Sequence, residues 1–326
     1  MITAGKALRF FLLLVAIPAA TWCSDPGDRG RPAPAGDSAP YVIVLGITQD
    51  GGLPQAGCDR ECCRKAWGDP GKSHRVSCLA IVDPRTSRRW IIDATPDFKH
   101  QLRMLDTVAP AATAPGIAGI LLTHAHVGHY SGLVHLGREA LGARAVPVHV
   151  MPRMQGFLSG NGPWDLLVRL GNIALVPMQE DVPLSLGPGL RVTPLRVPHR
   201  DEYTETVGFR IDGPRRTVVY VPDIDKWERW DRRLEEIVAG ADAAYLDGTF
   251  YADGEIPGRS MAEVPHPFIV ETMRRLASLP PDERDKVRFI HLNHTNPALR
   301  NGSPAATAIR KAGFRVAEEG ERFRLD

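Results

Sequence analysis

Three histidines stand close together in the run GILLTHAHVGHYSGLVHL, residues 119–136. An apolar strand is predicted just before them and a helix start just after, so His124, His126 and His129 lie on the connecting turn. Imidazoles two residues apart can converge on one metal ion, and a third imidazole three residues later can reach a second ion. A single histidine on an apolar segment is usually an ordinary core residue, but three within six positions favour a metal centre.

The run THAHVGHYSGL resembles the HxHxDH motif of the metallo-β-lactamase superfamily. This resemblance covers residues 41–326 and implies an α/β fold: a metallo-β-lactamase-like αββα sandwich of two mixed sheets with outer helices. It also implies a site for one or two metals between the sheet edges. One position departs from the motif, because Gly128 stands where the superfamily has an aspartate.

Composition narrows the class of protein. The chain has 326 residues, 43% hydrophobic and 24% charged, which is enough for a sizeable core. Its net charge is only +2, and basic and acidic residues are interspersed, so nothing indicates a nucleic-acid partner. No serine nucleophile elbow, phosphate-binding glycine loop or dinucleotide fingerprint occurs. We therefore expect a small-molecule substrate.

The N-terminus has the features of a targeting segment. Lys6 and Arg9 form a basic start, and residues 10–20 are apolar but too few to span a bilayer as a mature helix. Residues 1–23 are therefore predicted to be a signal peptide, and we expect an exported protein that is periplasmic or extracellular.

Cys23 raises the alternative of a lipoprotein signal and a lipid anchor, which would be the protein's one link to a membrane. Trp22 before it is bulkier than lipoprotein processing prefers, which disfavours the anchor. Residues 24–40 are rich in Pro, Gly, Asp and Ser and are predicted to be a flexible linker. The folded domain is expected at residues 41–326.

The other candidate ligands follow predicted strands. His199 lies beyond the alternating strand 190–197, and its position resembles the superfamily's third ligand. Asp223 ends the strand RTVVYVPD, and His291 ends KVRFIH. A carboxylate at a strand end can hold two cations within about 4 Å of each other, as the superfamily's bridging aspartate does. Asp225 is the alternative for that role.

The resemblance therefore implies two ligand sets. The first comprises His124, His126, His199 and Asp223. The second comprises His129, His291 and the shared Asp223. Because Gly128 supplies no ligand, we expect at most three protein ligands in the second set and weaker binding there.

Asp93, in the stretch IIDATPDF, is similar to the superfamily's first motif, in which an aspartate orients a metal-binding histidine. Such a carboxylate fixes the imidazole tautomer and raises its basicity. The alternative is an ordinary solvated turn residue. We expect Asp93 and Asp223 to act in catalysis. The stretch DGTF and His266 resemble a region that borders the pocket in one branch of the superfamily.

Three of the five cysteines are clustered in GCDRECCRKA: Cys58, Cys62 and Cys63. With Cys78 they make an even four, and in an exported protein the default is disulfides. However, Cys78 lies in the apolar strand SCLAIV, where a buried free thiol is simpler. Three clustered thiols and a histidine from elsewhere would form a closed Cys3His zinc site.

The resemblance favours zinc over disulfides. The superfamily branch of the pyrroloquinoline quinone biosynthesis B protein and the phosphonate-pathway cyclic phosphodiesterase has a structural zinc on cysteines of its first loop. In the phosphodiesterase, a histidine three residues after the last active-site histidine completes the site. His294 has that separation from His291, although the cysteine spacing here is CxxxCC rather than CxCxxC. The implied structural site is Cys58, Cys62, Cys63 and His294.

These ligands predict a metal-dependent hydrolase that uses a metal-activated water on an ester, phosphodiester or lactone. One or two Zn²⁺ in the active site and one structural Zn²⁺ are expected, and iron is also compatible with the ligands. Two alternatives remain at this point: an iron-dependent oxidase or hydroxylase related to quinone cofactor biosynthesis, and a non-catalytic metal-containing binding protein.

Two further elements are predicted from pattern. Residues 227–239 have the spacing of a charged amphipathic helix on the outer surface. The segments GFRV and RFRL near the C-terminus predict a closing hairpin.

Overall fold

The structure, a computed structural model, describes residues 1, 39–111, 115–256, 258 and 260–326. Apart from Met1, the predicted signal peptide, Cys23 and the linker up to residue 38 lie outside these residues. Ala39 and Pro40 are buried, and the Leu325 N–H donates to the Pro40 carbonyl at 2.8 Å. In the part of the chain so described, no helix has the length and apolar character needed to cross a membrane.

Two seven-stranded sheets form the centre of the described residues. The strands of the first sheet are β1 (Tyr41–Gly46), β2 (Cys78–Asp83), β3 (Arg88–Ile92), β4 (Gly119–Leu121), β5 (Val146–Val150), β6 (Ile173–Pro177) and β14 (Arg322–Arg324). Their order is β14-β1-β2-β3-β4-β5-β6. Strands β3 to β6 pair in parallel, whereas β14, β1, β2 and β3 pair antiparallel, so the sheet is mixed.

The strands of the second sheet are β7 (Leu184–Gly187), β8 (Leu190–Arg196), β9 (Val207–Asp212), β10 (Thr217–Val221), β11 (Ala243–Asp247), β12 (Val287–Ile290) and β13 (Arg315–Val316). Their order is β13-β12-β11-β10-β9-β8-β7. Strands β10 to β13 are parallel, and β7 to β10 are antiparallel, so this sheet is mixed as well.

Short helices connect and cover the strands. They are α1 (Glu61–Gly68), α2 (Phe98–Val108), α3 (Val127–Tyr130), α4 (Pro152–Gly160), α5 (Trp164–Arg169), α6 (Leu234–Ala239), α7 (Ile269–Arg275), α8 (Pro281–Asp285) and α9 (Pro304–Lys311). Short 3₁₀ helices occur at Pro70–Lys72, Ser131–Leu136, Trp227–Arg229, Met261–Glu263 and Pro297–Leu299.

Alternation along the strands divides the core into layers, because successive side chains point to opposite faces of a sheet. Val42 and Val44 of β1 pack between the two sheets, whereas Ile43 and Leu45 of the same strand face the helices. The helices α2, α4 and α5 cover the first sheet, and α6, α7 and α9 cover the second. The predicted αββα sandwich is confirmed.

Two sequence-based predictions about local structure are wrong. Residues 227–239 form a 3₁₀ turn and a separate helix α6, with Trp230 and Arg233 in extended conformation between them. The reason is tertiary: the Trp227 indole N–H donates to Thr272 Oγ1 at 2.8 Å, and the Trp230 indole N–H donates to the Arg196 carbonyl at 2.7 Å. Both rings are buried, whereas Glu228, Arg229, Arg233 and Glu236 are exposed, so the segment covers the second sheet with a charged outer side but is not one helix.

The predicted C-terminal hairpin is also absent. Strand β13 pairs with β12 of the second sheet, whereas β14 pairs with β1 of the first sheet. The two segments look alike in sequence, but the chain crosses from one sheet to the other between them.

Strand direction brings the polar residues together. Strands β3 and β4 run parallel, as do β10, β11 and β12, and their carboxyl ends all carry candidate site residues. Asp93 follows β3 directly, and His291 follows β12 directly. The site therefore forms where these strand ends of the two sheets meet.

Candidate metal centre

The first predicted ligand set is assembled in the structure. Ligand atoms of His124, His126, His199 and Asp223 all lie within 4.8 Å of one another. His126 Nδ1 is 2.8 Å from His124 Nε2 and 3.3 Å from His199 Nε2. Asp223 approaches the other two rings, with Oδ2 3.3 Å from His124 Nε2 and Oδ1 3.2 Å from His199 Nε2. Zinc bonds of ~2.0–2.1 Å in a tetrahedral site place neighbouring ligand atoms about 3.3 Å apart, so the set fits a zinc ion.

Each of these imidazoles has a partner for its other ring nitrogen. Such contacts fix the tautomer, so that the remaining nitrogen presents its lone pair to the metal. The contacts are Thr123 Oγ1 with His124 Nδ1 at 3.0 Å, Glu202 Oε2 with His126 Nε2 at 3.0 Å and Asp225 Oδ1 with His199 Nδ1 at 3.1 Å.

The second set contains a residue that the sequence analysis missed. Asp50 lies in the loop after β1, and its Oδ1 is 3.3 Å from His129 Nε2 and 3.8 Å from His291 Nε2. Asp223 Oδ2 lies 3.8 Å from the same atom of His129 and 4.0 Å from that of His291. The second set therefore has four protein ligands, not the three that Gly128 led us to expect.

The Asp50 carboxylate fills the space that a side chain at position 128 would need. A Cβ atom added at Gly128 would lie 2.0 Å from Asp50 Oδ1 and 2.7 Å from Asp50 Cα, distances that real Cβ atoms do not reach. The carboxylate missing from the motif is thus supplied by a different loop. The signal in the sequence was weak: an acidic residue in a glycine-flanked loop a few residues after a buried strand.

Buried polar atoms that lack hydrogen-bond partners support a cation at this second set. Three buried atoms there have no hydrogen-bond partner: Asp50 Oδ1, His129 Nε2 and His291 Nε2. Asp223 Oδ1, beside His199 in the first set, has none either. Buried polar atoms are nearly always paired, and an unpaired group commonly marks an ion or a functional site. Although burial opposes its charge, contacts with His129 and His291 hold the pKa of the Asp50 carboxyl well below its usual value. The carboxylate is therefore ionised and ready to bind a metal.

Asp223 is placed between the two sets. It follows β10 by two residues and is buried. Its Oδ2 faces His124, His129 and His291 at 3.3, 3.8 and 4.0 Å, so one oxygen is shared by both sets. Asp225, the alternative for the bridging role, instead lies behind His199 and pairs with Arg229 Nη1 at 2.7 Å.

Asp93 contacts the ring that joins the second set. Its Oδ2 lies 2.7 Å from His129 Nδ1, and its Oδ1 accepts the Thr123 N–H at 2.8 Å. Both carboxylate oxygens are fully buried, so the alternative of a solvated turn residue is wrong. Asp93 and His291 have φ of 70° and 64°, values unusual for residues other than glycine and typical of functional positions.

His266 is closer to the centre than the sequence analysis placed it. Its Nδ1 lies 2.8 Å from Asp247 Oδ2 and 3.3 Å from Asp223 Oδ1. Both Asp247 oxygens are occupied, since Oδ1 accepts from Thr249 and Oδ2 accepts the Ile224 N–H at 3.1 Å. This third group is satisfied by its own hydrogen bonds, so we assign it to positioning Asp223 rather than to a metal.

The cysteine cluster also assembles as predicted. Cys58, Cys62, Cys63 and His294 present ligand atoms within 4.8 Å of one another. Helix α1 supplies Cys62 and Cys63 from its first turn, and the turn before it supplies Cys58. His294 Nδ1 contacts Asn293 Oδ1 at 2.9 Å, which leaves Nε2 for a metal. All four cysteines that the structure describes are free thiols, and Cys78 is buried apart from this cluster.

The fold and the site define a class of protein. The chain belongs to the β-lactamase superfamily, because residues 88–292 match the family described as "Beta-lactamase superfamily domain". Within it, coenzyme PQQ synthesis protein B of Methylobacterium nodulans is 30% identical over 314 residues, which cover 87% of this chain and 99% of that protein. The protein of the same name from Xanthomonas euvesicatoria pv. vesicatoria is 29% identical over 308 residues, with the same coverage.

Solved structures agree on the fold. The Zn²⁺-bound PqqB from Methylobacterium extorquens superposes with a TM-score of 0.74 at 24% identity, covering 87% of this chain and all of that one. A diphosphatase of the PhnP family gives a TM-score of 0.59 at 20% identity, over 87% of this chain and 96% of that one. The predicted fold class and the resemblance to this branch are confirmed.

Proposed function

We propose that the protein is a two-metal hydrolase of an ester, phosphodiester or lactone, with two zinc ions in the active site and a third on the cysteine cluster. One observation supports it most: two complete sets of ligand atoms share Asp223 Oδ2, the arrangement that two adjacent cations require. The zinc-bound relative and the diphosphatase relative fit this proposal.

The residues around the proposed metals have separate roles. Zinc bound at such a site lowers the pKa of a water molecule toward neutrality and polarises the oxygen of the scissile bond. Asp223 would offer its charge to both cations, and Asp50 would offer its charge to the second one. Asp93 holds His129 in one tautomer. His266 Nδ1 bonds Asp247 Oδ2, and that oxygen also accepts the N–H of Ile224, the residue next to Asp223.

The mouth of the site favours an anionic substrate. Arg200 lies beside the first set, with Nη2 3.5 Å from His126 Nδ1, and about half of its side chain is exposed. A guanidinium there can pair with a phosphate oxygen while the scissile bond faces the metals. Thr204, four residues later in the same loop, is instead buried and accepts the Ala125 N–H at 3.0 Å. Among the three bond types we therefore favour the phosphodiester.

The test measures metal content and hydrolysis on the same samples. Residues 41–326 would be loaded with Zn²⁺, analysed for metals, and assayed with bis(p-nitrophenyl) phosphate, a p-nitrophenyl ester and a lactone. We expect close to three zincs per chain and hydrolysis that a chelator abolishes. Arg200→Ala should raise KM for the phosphodiester about tenfold and leave the neutral substrates unchanged, since it removes one charged contact.

Other outcomes would contradict the proposal. Iron that persists in the purified active site, together with oxygen consumption, would indicate oxidation chemistry instead. Two bound zincs without turnover of any of the three substrates would favour a binding protein. Asp223→Asn is the negative control, because it removes the shared charge without changing the size of the side chain.

A further inference from the structure

We propose that the cluster of Cys58, Cys62, Cys63 and His294 controls the second active-site metal: a metal bound to the cluster holds Asp50 in place as a ligand. This inference rests on the two-metal function proposed above. It assigns the cluster a role beyond stabilising the fold, because it predicts that filling one site changes the affinity of the other.

The two sites are built from the same two segments. The loop after β1 supplies Asp50 and, eight residues later, Cys58. The segment after β12 supplies His291 and, three residues later, His294. Each segment therefore contributes one ligand to the second active-site set and at least one to the cysteine cluster.

The loop is fixed firmly at one end. The Leu292 N–H donates to the Ile47 carbonyl at 2.8 Å, and the Gln49 N–H donates to the Leu292 carbonyl at 2.9 Å. These bonds join the start of the loop to Leu292, which lies between His291 and His294. At this end the two segments stay together without a metal.

The other end depends on the cluster. Between Asp50 and Cys58 the described chain has no helix or strand, and its long-range backbone bonds are two, both between Leu53 and His74. The Gln55 N–H donates to Cys63 Sγ at 3.4 Å, so the thiols already serve as the loop's contact. A metal on Cys58 and His294 would close a ring that contains Asp50 and the Leu292 bonds, with His291 directly next to Leu292.

Asp50 needs this support. Its side chain is 26% exposed, and its Oδ1 has no hydrogen-bond partner in the protein. Apart from its contacts with the two imidazoles that would share the metal, the carboxylate is placed opposite His129 and His291 by the loop backbone. Closing the ring removes conformations in which the loop moves outward, and this lowers the entropic cost of placing Asp50 on a metal.

The first ligand set provides an internal reference. His124, His126 and His199 come from the turns after β4 and β8, and none of them lies in the loop or in the segment after β12. An effect of the cluster on the first metal is therefore not expected. A general loss of fold would weaken both active-site metals, whereas the proposed coupling weakens only the second.

Coupling between binding sites is reciprocal. If metal at the cluster strengthens the second site by some factor, metal at the second site must strengthen the cluster by the same factor. Typical couplings are about 5- to 150-fold, and we expect about tenfold here, because one ligand out of four is affected. Reciprocity gives a second test that leaves the cysteines unchanged.

The main experiment titrates Zn²⁺ and Co²⁺ into metal-free protein against a competing chelator. In Cys62→Ser, chosen because Cys62 is the least buried of the three cysteines, the thiolate-to-cobalt absorption should be weaker and should need more cobalt to develop, because only two thiolates remain. The Kd of the second active-site metal should rise about tenfold while that of the first stays unchanged. Cys78→Ser, which alters a buried thiol outside the cluster, should bind all three metals as the wild type does.

The reciprocal experiment uses Asp50→Asn, in which the cluster is chemically intact. Its Kd for cobalt, read from the thiolate absorption, should rise by the same factor. An unchanged second-site Kd in Cys62→Ser, or an unchanged cluster Kd in Asp50→Asn, would overturn the inference. A wild type that binds no active-site metal, or that binds two and hydrolyses nothing, would instead reject the proposed function, so the two failures are distinguishable.

Discussion

At the scale of single residues, the metal centre depends on the groups that hydrogen-bond to each ligand side chain. His129 is buried, and its Nδ1 faces Asp93 at 2.7 Å, so its Nε2 is directed at the second set. The carboxylates of Asp93 and Asp50 raise the pKa of His129 well above its usual value, although burial opposes this. A metal must replace that proton, and Asp93 then stabilises the ligand in its metal-bound state.

The Asp93→Asn variant tests this arrangement. Asparagine has the size of aspartate but no charge. Its amide can present an N–H group to His129 Nδ1, although that nitrogen needs an acceptor. We expect the second-site metal affinity to fall 10- to 100-fold, as for other partners of ligating histidines, with the first site nearly unchanged. Chelator competition measures both affinities. Equal weakening of both sites would instead indicate damage to the fold around Thr123.

The exchange of ligand between positions 128 and 50 gives a second prediction. In Gly128→Ala the new Cβ would lie 2.0 Å from Asp50 Oδ1, so the carboxylate must move away from His129. We expect a loss of at least tenfold in second-site affinity, read by metal titration. Gly156→Ala is the matched control, because a Cβ there meets no atom within 4 Å. If Gly128→Ala bound two active-site metals as tightly as the wild type, Asp50 would not be a ligand.

At the scale of elements, sequence pattern predicted structure well where local residues determine it. The apolar runs predicted as strands before His124, at SCLAIV, at residues 190–197, before Asp223 and before His291 form β4, β2, β8, β10 and β12. The helix at residues 227–239 failed because distant partners, Thr272 and the Arg196 carbonyl, capture the two tryptophan N–H groups. A helical period in the sequence contains no information about such partners.

The loop between β11 and α7 carries a pH-dependent element. Burial raises the pKa of Glu255 from 4.5 to about 7, and its carboxylate accepts from the Tyr251 N–H. Because the folded state holds the proton more tightly, the stability contributed by protonation is complete below pH 4.5 and is lost as the pH rises through about 7. Glu255 therefore destabilises the fold at alkaline pH.

The Glu255→Gln variant should remove this penalty. We expect no change in Tm at pH 4.5 and a gain of a few degrees at pH 8. The full shift corresponds to about 3 kcal/mol, and partial exposure reduces the gain to about 2 kcal/mol. Thermal unfolding of metal-loaded protein at both pH values measures it. Glu263→Gln, at an exposed position further along the loop, should shift Tm equally little at both.

At the scale of the whole molecule, the centre is a product of sheet packing. Asp93, His124, His126 and His129 extend from the first sheet, whereas His199, Asp223 and His291 extend from the second. The sequence predicted these residues because each lies just after a predicted strand, the three histidines of the motif after the same one. It could not predict Asp50 or the contact of His266 with Asp223, because these depend on which loops meet once both sheets have packed.

Packing between the sheets should therefore dominate stability. Leu190 is fully buried between them, and Leu170 is 47% exposed. Leu190→Ala should lower the free energy of unfolding by about 2–5 kcal/mol, because it leaves a cavity, whereas Leu170→Ala should change it by less than ~0.5 kcal/mol. Urea unfolding of the metal-loaded variants measures both. Equal effects would contradict the placement of the core between the sheets.

The steric exclusion between positions 128 and 50 also constrains how such a chain can evolve. An aspartate at both positions places two carboxylates in one volume, and an aspartate at neither leaves the second cation without that ligand. No single substitution converts one arrangement into the other. A lineage that moved its ligand from the motif to the loop had to pass through an ancestor with a weakened second site, or shift its backbone at the same time. A glycine in the motif therefore does not show that a chain has lost its second metal site. The missing carboxylate can be sought in another loop.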